Sequence, residues 1–150
     1  MIMGMWERFS RLPAGKTLFS HFLGRMVPYT GSIGARVVEL EPGYARVQLS
    51  DRRKVRNHLN SIHAVALMNL GEVASGLAFM TGLPKGMRAI LTGFEVEFLK
   101  KARGTLESEC RAPRVTSTES QDYVVEANIT DASKTVVCRV RAKWRAGSNK

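Results

Sequence analysis

The sequence predicts an α+β domain in which a curved antiparallel sheet wraps around one long central helix, preceded by an N-terminal helical extension. Three observations carry this. Along the 150 residues the elements read helix, two strands, one buried helix, four strands. The stretch 64–80 is apolar or small nearly all round, which marks a buried helix. The flanking runs alternate apolar with polar residues, as strands with one buried face do. A helix buried all round needs a sheet curved over it and a cover for its remaining side, so closure by a dimer partner is the economical solution.

A composition of 44% hydrophobic and 24% charged residues is that of one globular domain. Residues 1–29 read as the helical extension and 30–150 as the main domain. Within 5–27, Phe19, Phe22, Leu23 and Met26 recur at helical spacing, with Trp6, Phe9 and Leu12 upstream and breaks at Pro13 and Pro28. Its polar face carries only Arg8, Arg11, Lys16 and Arg25, so a helix covering the core is expected rather than a membrane-surface helix. Strands at 33–40 and 44–49 are joined by the turn Glu41-Pro42-Gly43. A polar loop at 50–57 leads to the central helix, with Asn60 or Ser61 as its N-cap and Gly82-Leu83-Pro84 as its stop. Strands at 88–99, 105–112, 123–130 and 135–145 follow, and the last two are joined by the hairpin Asp131-Ala132-Ser133-Lys134.

Twenty-three Lys and Arg against 13 Asp and Glu give a net charge of +10, which predicts an anionic partner. Lys134, Arg139, Arg141, Lys143, Arg145 and Lys150 lie in a stretch without a single acid. On the final strand they alternate with Val136, Cys138, Val140, Ala142 and Trp144, giving one apolar and one basic face. The basic face is expected to see solvent, a partner or a polyanion. No helix-turn-helix spacing, RNP-like aromatic motif or zinc spacing accompanies it, so nucleic acid is not the expected partner. Cys110 and Cys138 form no CxxC pair, which predicts reduced strand residues, no metal and no disulfide. Met1 to Arg8 lack a secretory leader, and Asn69 and Glu72 interrupt the longest apolar stretch, so a cytoplasmic protein with no membrane association is expected.

Glu72 is the one ionisable residue between 64 and 80. A carboxylate in an apolar setting is costly unless paired, neutralised or wetted. Set in a cleft, it can act as general base or nucleophile. Just upstream, Asn57-His58-Leu59-Asn60-Ser61-Ile62-His63 brings polar side chains to the helix start. Unpaired N–H groups and the positive dipole end there suit a developing oxyanion.

These residues resemble the hotdog-fold acyl-CoA thioesterases, in the branch of the phenylacetyl-CoA and 4-hydroxybenzoyl-CoA enzymes. That family has an Asn or Gln, a His six residues later followed by two glycines, and an Asp or Glu nine residues after the His. Asn57, His63 and Glu72 match all three positions, and Phe98-Leu99-Lys100-Lys101-Ala102-Arg103-Gly104 looks like the family's aromatic-Leu-basic strand end. The resemblance covers roughly residues 30–145. Ala64 and Val65 replace the two glycines; the Ala64 N–H survives, while the added side chains narrow the pocket.

The resemblance implies thioester hydrolysis without a cofactor or metal. The Ala64 N–H, aided by His63, would polarise the carbonyl; Asn57 would orient water or the carbonyl; Glu72 would act as base or nucleophile. Nine residues at ~100° each turn the helix through ~900° and place His63 and Glu72 ~13 Å apart along it, on opposite sides. One chain cannot join them, so a homodimer is required, with Glu72 serving the other subunit's site; pairing of dimers into a homotetramer is left open. Lys100, Lys101, Arg103 and the cluster Arg52 to Arg56, Arg56 included, are candidate contacts for coenzyme A phosphates. The family often adds a Ser or Thr from the strand after the helix; Thr92 is the only hydroxyl there and falls one residue out of register. The alternatives are a non-hydrolytic acyl-CoA-binding protein and an acyl thioester hydratase or dehydratase.

Overall fold

The structure is a computed structural model and describes residues 2–148; Met1, Asn149 and Lys150, the last of the basic run, lie outside the described residues. Helix α1 (Ile2–Phe9), α2 (Gly15–Met26) and the one-turn α3 (Pro28–Gly31) precede β1 (Arg36–Glu41) and β2 (Tyr44–Leu49). A 3-10 turn (Arg53–Val55) leads to α4 (Ala64–Thr81), followed by β3 (Met87–Phe98), β4 (Leu106–Arg111), β5 (Gln121–Thr130) and β6 (Val136–Ser148). The strands form one antiparallel sheet in the order β1-β2-β4-β5-β6-β3, and α4 packs across β2, β4 and β5. This is the hotdog arrangement.

The alternation read from the strands sets the pleat. Along β6, Cys138, Val140, Ala142 and Trp144 are buried, while Arg139, Arg141, Lys143 and Arg145 face outward. Those cations meet acids on the neighbouring strands. Arg139 pairs with Glu97 at 3.1 Å, Arg141 with Glu126 at 3.0 Å, and Lys143 and Arg145 share Asp122 at 3.1 and 2.8 Å. The two cations hold Asp122 down at about pKa 2. Cross-strand pairing on β3 and β5 thus supplies the acids that β6 lacks. Exposed pairs of this kind contribute roughly 0–1 kcal/mol each, so their main effect is to favour one register.

Several boundaries differ from the sequence reading, among them β5, which starts at Gln121, and β6, which runs on to Ser148. The extension is two helices with breaks where the prolines fall, at 10–14 around Pro13 and at Val27 before Pro28, and Pro28 then starts a further turn. Strand β1 starts at Arg36, since Gly34 takes a left-handed φ of 60° and turns the chain just before it. The cap of α4 is His63, not Asn60 or Ser61. Asn60 has a left-handed φ of 53°, and the Ser61 N–H is already bound by Asn57, so the chain stays non-helical through Ile62. The extension also joins the core. Trp6 and Phe19 stack edge to face at 5.1 Å within the same buried cluster as the sheet, and Lys16 Nζ donates to the Val38 carbonyl of β1 at 2.7 Å.

Helix α4 has the length and composition of a membrane span, with a mean hydropathy of 1.4, but 67% of it is buried inside the fold. Small residues let it lie close to the sheet: a Cβ at Gly71 would come within 2.4 Å of Val140 Cγ2. Gly71→Ala is therefore expected to destabilise the fold by about 1–3 kcal/mol, read as a lower urea midpoint, with Val140→Ala restoring part of the loss.

Candidate active site

The first turn of α4 offers four backbone N–H groups that no residue within the helix can satisfy. Val65 N–H donates to His63 Nδ1 at 3.1 Å, and the N–H groups of Ala66 and Leu67 donate to the His63 carbonyl at 2.9 and 3.1 Å. The Ala64 N–H has no acceptor among the described residues. It is the one uncommitted donor at the positive end of an 18-residue helix, the place where an anion or a developing oxyanion is stabilised. Because His63 Nδ1 accepts the capping bond, the ring proton of neutral His63 sits on Nε2.

Asn57 holds the preceding loop. Its Oδ1 accepts from the Leu59 and Ser61 N–H groups at 2.9 and 3.1 Å, and its own N–H donates to the Ser61 carbonyl at 2.8 Å. This ring of bonds is an Asx turn closed on itself. The loop is tied across to the segment after β3 by Ile62 N–H to Ala102 O at 2.8 Å, by Asp51 accepting from the Gly104 N–H at 2.8 Å, and by Arg103 donating to the Leu59 carbonyl at 3.4 Å.

Between loop and strand end lies a cavity of about 380 Å3 bordered by Asn57, Ser61, Ala64, Leu99, Lys100 and Lys101. Four of the residues singled out in the sequence therefore share one cavity: Asn57, Ala64, Lys100 and Lys101. His63 and Arg56 border a separate cleft of about 350 Å3 with Tyr29 and Asn69. Arg56 is held there by Asp51, Nε to Oδ1 at 2.6 Å, and the guanidinium keeps the Asp51 carboxyl below the usual carboxylate range. Arg103 is engaged with Leu59 at the cavity rim. Thr92 is the extra residue of a bulge between Leu91 and Gly93, and its hydroxyl donates to the Lys143 carbonyl at 3.1 Å. That bulge accounts for its one-residue offset.

Glu72 borders neither cavity. It lies halfway along α4 on the stripe that the sheet leaves open, with Val65, Met68 and Met80 exposed in line with it. Its carboxylate has no hydrogen bond or ion pair among the described residues, and burial raises its pKa above 4.5. Desolvation without a partner is the combination that makes a carboxylate a better base. Among the described residues no cluster of three or more His, Cys, Asp or Glu could hold a metal. Cys110 and Cys138 are free and buried on their strands, their thiols pushed up by burial to about 12 and about 11.

Ser61 was missed as a site residue by the sequence reading, which weighed it only as a cap. It is 5% exposed and its hydroxyl has no partner among the described residues. Its position inside the polar run ahead of the helix was the available signal.

Comparison with known proteins agrees with the fold. A model described as a domain of unknown function (DUF4442) matches residues 15–146. The chain belongs to the DUF4442 family. No curated protein matches it. This DUF4442 chain is similar to the structural-genomics protein APC5556, with 31% identity over 99% of this chain and 98% of that one and a TM-score of 0.85. It is also similar to PA5026 of Pseudomonas aeruginosa, called a probable thioesterase, at 25% identity over 92% and 97% of the two chains and a TM-score of 0.80. The thioesterase HI1161 of Haemophilus influenzae shares the fold at 12% identity, 84% and 88% coverage and a TM-score of 0.72. Two of these three neighbours carry thioesterase in their names, PA5026 as probable and HI1161 outright.

The raised pKa of Glu72 sets the sign of a stability effect. A folded-state pKa above the unfolded one means that the folded state holds its proton longer, so stability contributed by that proton is present below the unfolded pKa and lost as pH rises through the folded value. Glu72→Gln is therefore expected to melt higher than the parent at pH 8, and the gain should vanish at pH 4, below the ordinary value of 4.5. Thermal denaturation at the two pH values measures this.

Proposed function

We propose that this protein is an acyl-CoA thioesterase acting in the cytoplasm as a homodimer. The observation that carries the reading is the single free N–H of Ala64 at the head of α4, on the wall of the cavity that also holds Asn57. It is supported by an unpartnered, half-buried Glu72 on the open stripe of the same helix. In one chain the sheet leaves that stripe and the outer edge of β3 uncovered. A second copy placed against them across a two-fold axis would bring its Glu72 to the first copy's helix start and build two equivalent sites.

In this scheme the thioester carbonyl accepts from the Ala64 N–H. Glu72 of the second copy takes a proton from water as the hydroxide forms a bond to the carbonyl carbon. The tetrahedral oxyanion is stabilised by the Ala64 N–H and the helix dipole. The C–S bond then breaks and the thiolate leaves with the proton held by Glu72. In the alternative route the Glu72 carboxylate attacks the carbonyl carbon itself and the resulting anhydride is hydrolysed. His63 caps the helix and keeps the donor in place, Asn57 holds the loop and presents its amide, and Lys100, Lys101 and Arg103 lie where the coenzyme A phosphates would enter. The neighbours called thioesterases support the reaction class.

One observation favours a second reading, a protein that binds acyl-CoA without cleaving it. The Val65 N–H is consumed by His63 Nδ1, and Ala64 and Val65 bring side chains where the resembling family has glycines, so one oxyanion donor remains.

Thiol release from a panel of acyl-CoAs decides between them. Glu72→Gln is expected to lower kcat by about 10²–10⁴, and the acid limb of the wild-type rate should fall at a pKa above 4.5. Full activity in that variant overturns the mechanism; tight binding with no release by the wild type favours the second reading. Mixing inactive Glu72→Gln with inactive Asn57→Ala should restore roughly a quarter of wild-type activity, since half of randomly mixed dimers carry one intact site of two. No recovery after subunit exchange would place Glu72 and Asn57 in the same site of one chain.

A further inference from the structure

Three buried polar side-chain atoms lack a hydrogen-bond partner among the described residues: Ser61 Oγ, Ser108 Oγ and Trp144 Nε1. Ser108 is fully buried on β4, and Trp144 is packed against Gly76. Ser61 differs, because it forms part of the wall of the cavity beside the α4 helix start. A buried hydroxyl left unpaired is costly, and native structures avoid it unless a ligand or water supplies the missing bond.

The setting narrows what that ligand is. The loop bearing Ser61 is closed by Asn57 and pinned to Ala102, so the backbone that carries the hydroxyl is held in place before anything binds. Around the mouth, Leu59, Phe98 and Leu99 are 53%, 52% and 46% exposed, an apolar collar that water leaves poorly covered. Lys100 and Lys101 stand at the rim and form no ion pair among the described residues. A bare phosphate would use the lysines and ignore the collar. A hydrocarbon chain would cover the collar and leave the hydroxyl unpaired. A flexible chain with methylene segments, an amide and an anionic end satisfies all three features.

Resting on the thioesterase reading, we infer that Ser61 is a specificity-determining residue that hydrogen-bonds an amide of a pantetheine-type thiol threaded through this cavity. The thiol end points to the Ala64 N–H and the phosphate end to Lys100 and Lys101. The protein then selects thioesters by their amide-bearing carrier as well as by their acyl group.

Calorimetric titration of the wild type, Ser61→Ala and Ser61→Thr with three probes tests this: coenzyme A, pantetheine, and adenosine 3′,5′-bisphosphate, which carries phosphates and no arm. Ser61→Ala should bind coenzyme A and pantetheine about five- to tenfold more weakly and adenosine bisphosphate unchanged, with Ser61→Thr restoring the first two. In turnover, Ser61→Ala should raise KM for acyl-CoA with kcat unchanged, and leave KM for an acyl-ethanethiol ester, which has no amide, where it was. Removing an unpaired buried hydroxyl should not lower the melting temperature. Equal loss for all three probes, a lowered melting temperature, unchanged binding by Ser61→Ala, or no pantetheine binding by the wild type would each overturn the proposal. If the wild type cleaves no thioester, the hydrolytic reading fails, and the binding titrations still decide the role of Ser61.

Discussion

Gly71 lets the backbone of α4 approach Val140 of β6 so closely that no side chain fits between them, and the rest of the structure follows from that seating. With the helix pressed onto β2, β4 and β5, about two thirds of its residues are buried. This burial is the main favourable term available to a domain of this size. The same seating decides which stripe of the helix remains uncovered, and Glu72 is on that stripe. Turned toward the sheet, its carboxylate would enter a buried layer that holds no charged side chain among the described residues. On the open stripe it is half-buried and without a partner among the described residues, desolvated enough to raise its pKa while still reachable.

The charge of the chain divides along the same lines. Outward-facing cations of β6 are answered by Glu97, Glu126 and Asp122 on the strands beside it. Arg46 of β2 bridges Glu39 and Glu107, and Lys134 also reaches Glu107. Most of the sheet's outer face is thus neutralised locally. The excess that remains lies in loops and at strand ends, Lys100 and Lys101 among it, beside the cavity at the head of α4. Part of the net charge of +10 thus stands beside the proposed entrance, where Lys100 and Lys101 line the cavity.

Much of the fold was readable because burial imposes periodicity. The alternation in β6 and the all-apolar run of α4 each announce their environment, and β2 falls at 44–49 as the alternation requires. The candidate site residues stood out in two ways: Glu72 as an acid in an apolar helix, and Asn57 and His63 by the spacing they share with the resembled family. The start of β1 and the cap of α4 were not readable. Both depend on local backbone conformation, the left-handed Gly34 and Asn60, and on which side chain wins a given N–H. His63 won the Val65 N–H, and that competition is settled by three-dimensional geometry.

By itself the sequence determined the elements, their order, and the presence of one acid where acids do not belong, because these are properties of spacing and of the cost of desolvation. Only the tertiary structure decided which groups meet. It gathered Asn57, Ser61, Ala64 and Lys100 around one cavity while sending His63 and Arg56 to another. It also supplied from β3 and β5 the acids that the last strand lacks. The physical reason is the same in each case: hydrogen bonds and ion pairs form between atoms a few ångströms apart, and chain folding brings such atoms together from positions whose separation in sequence carries no trace of it.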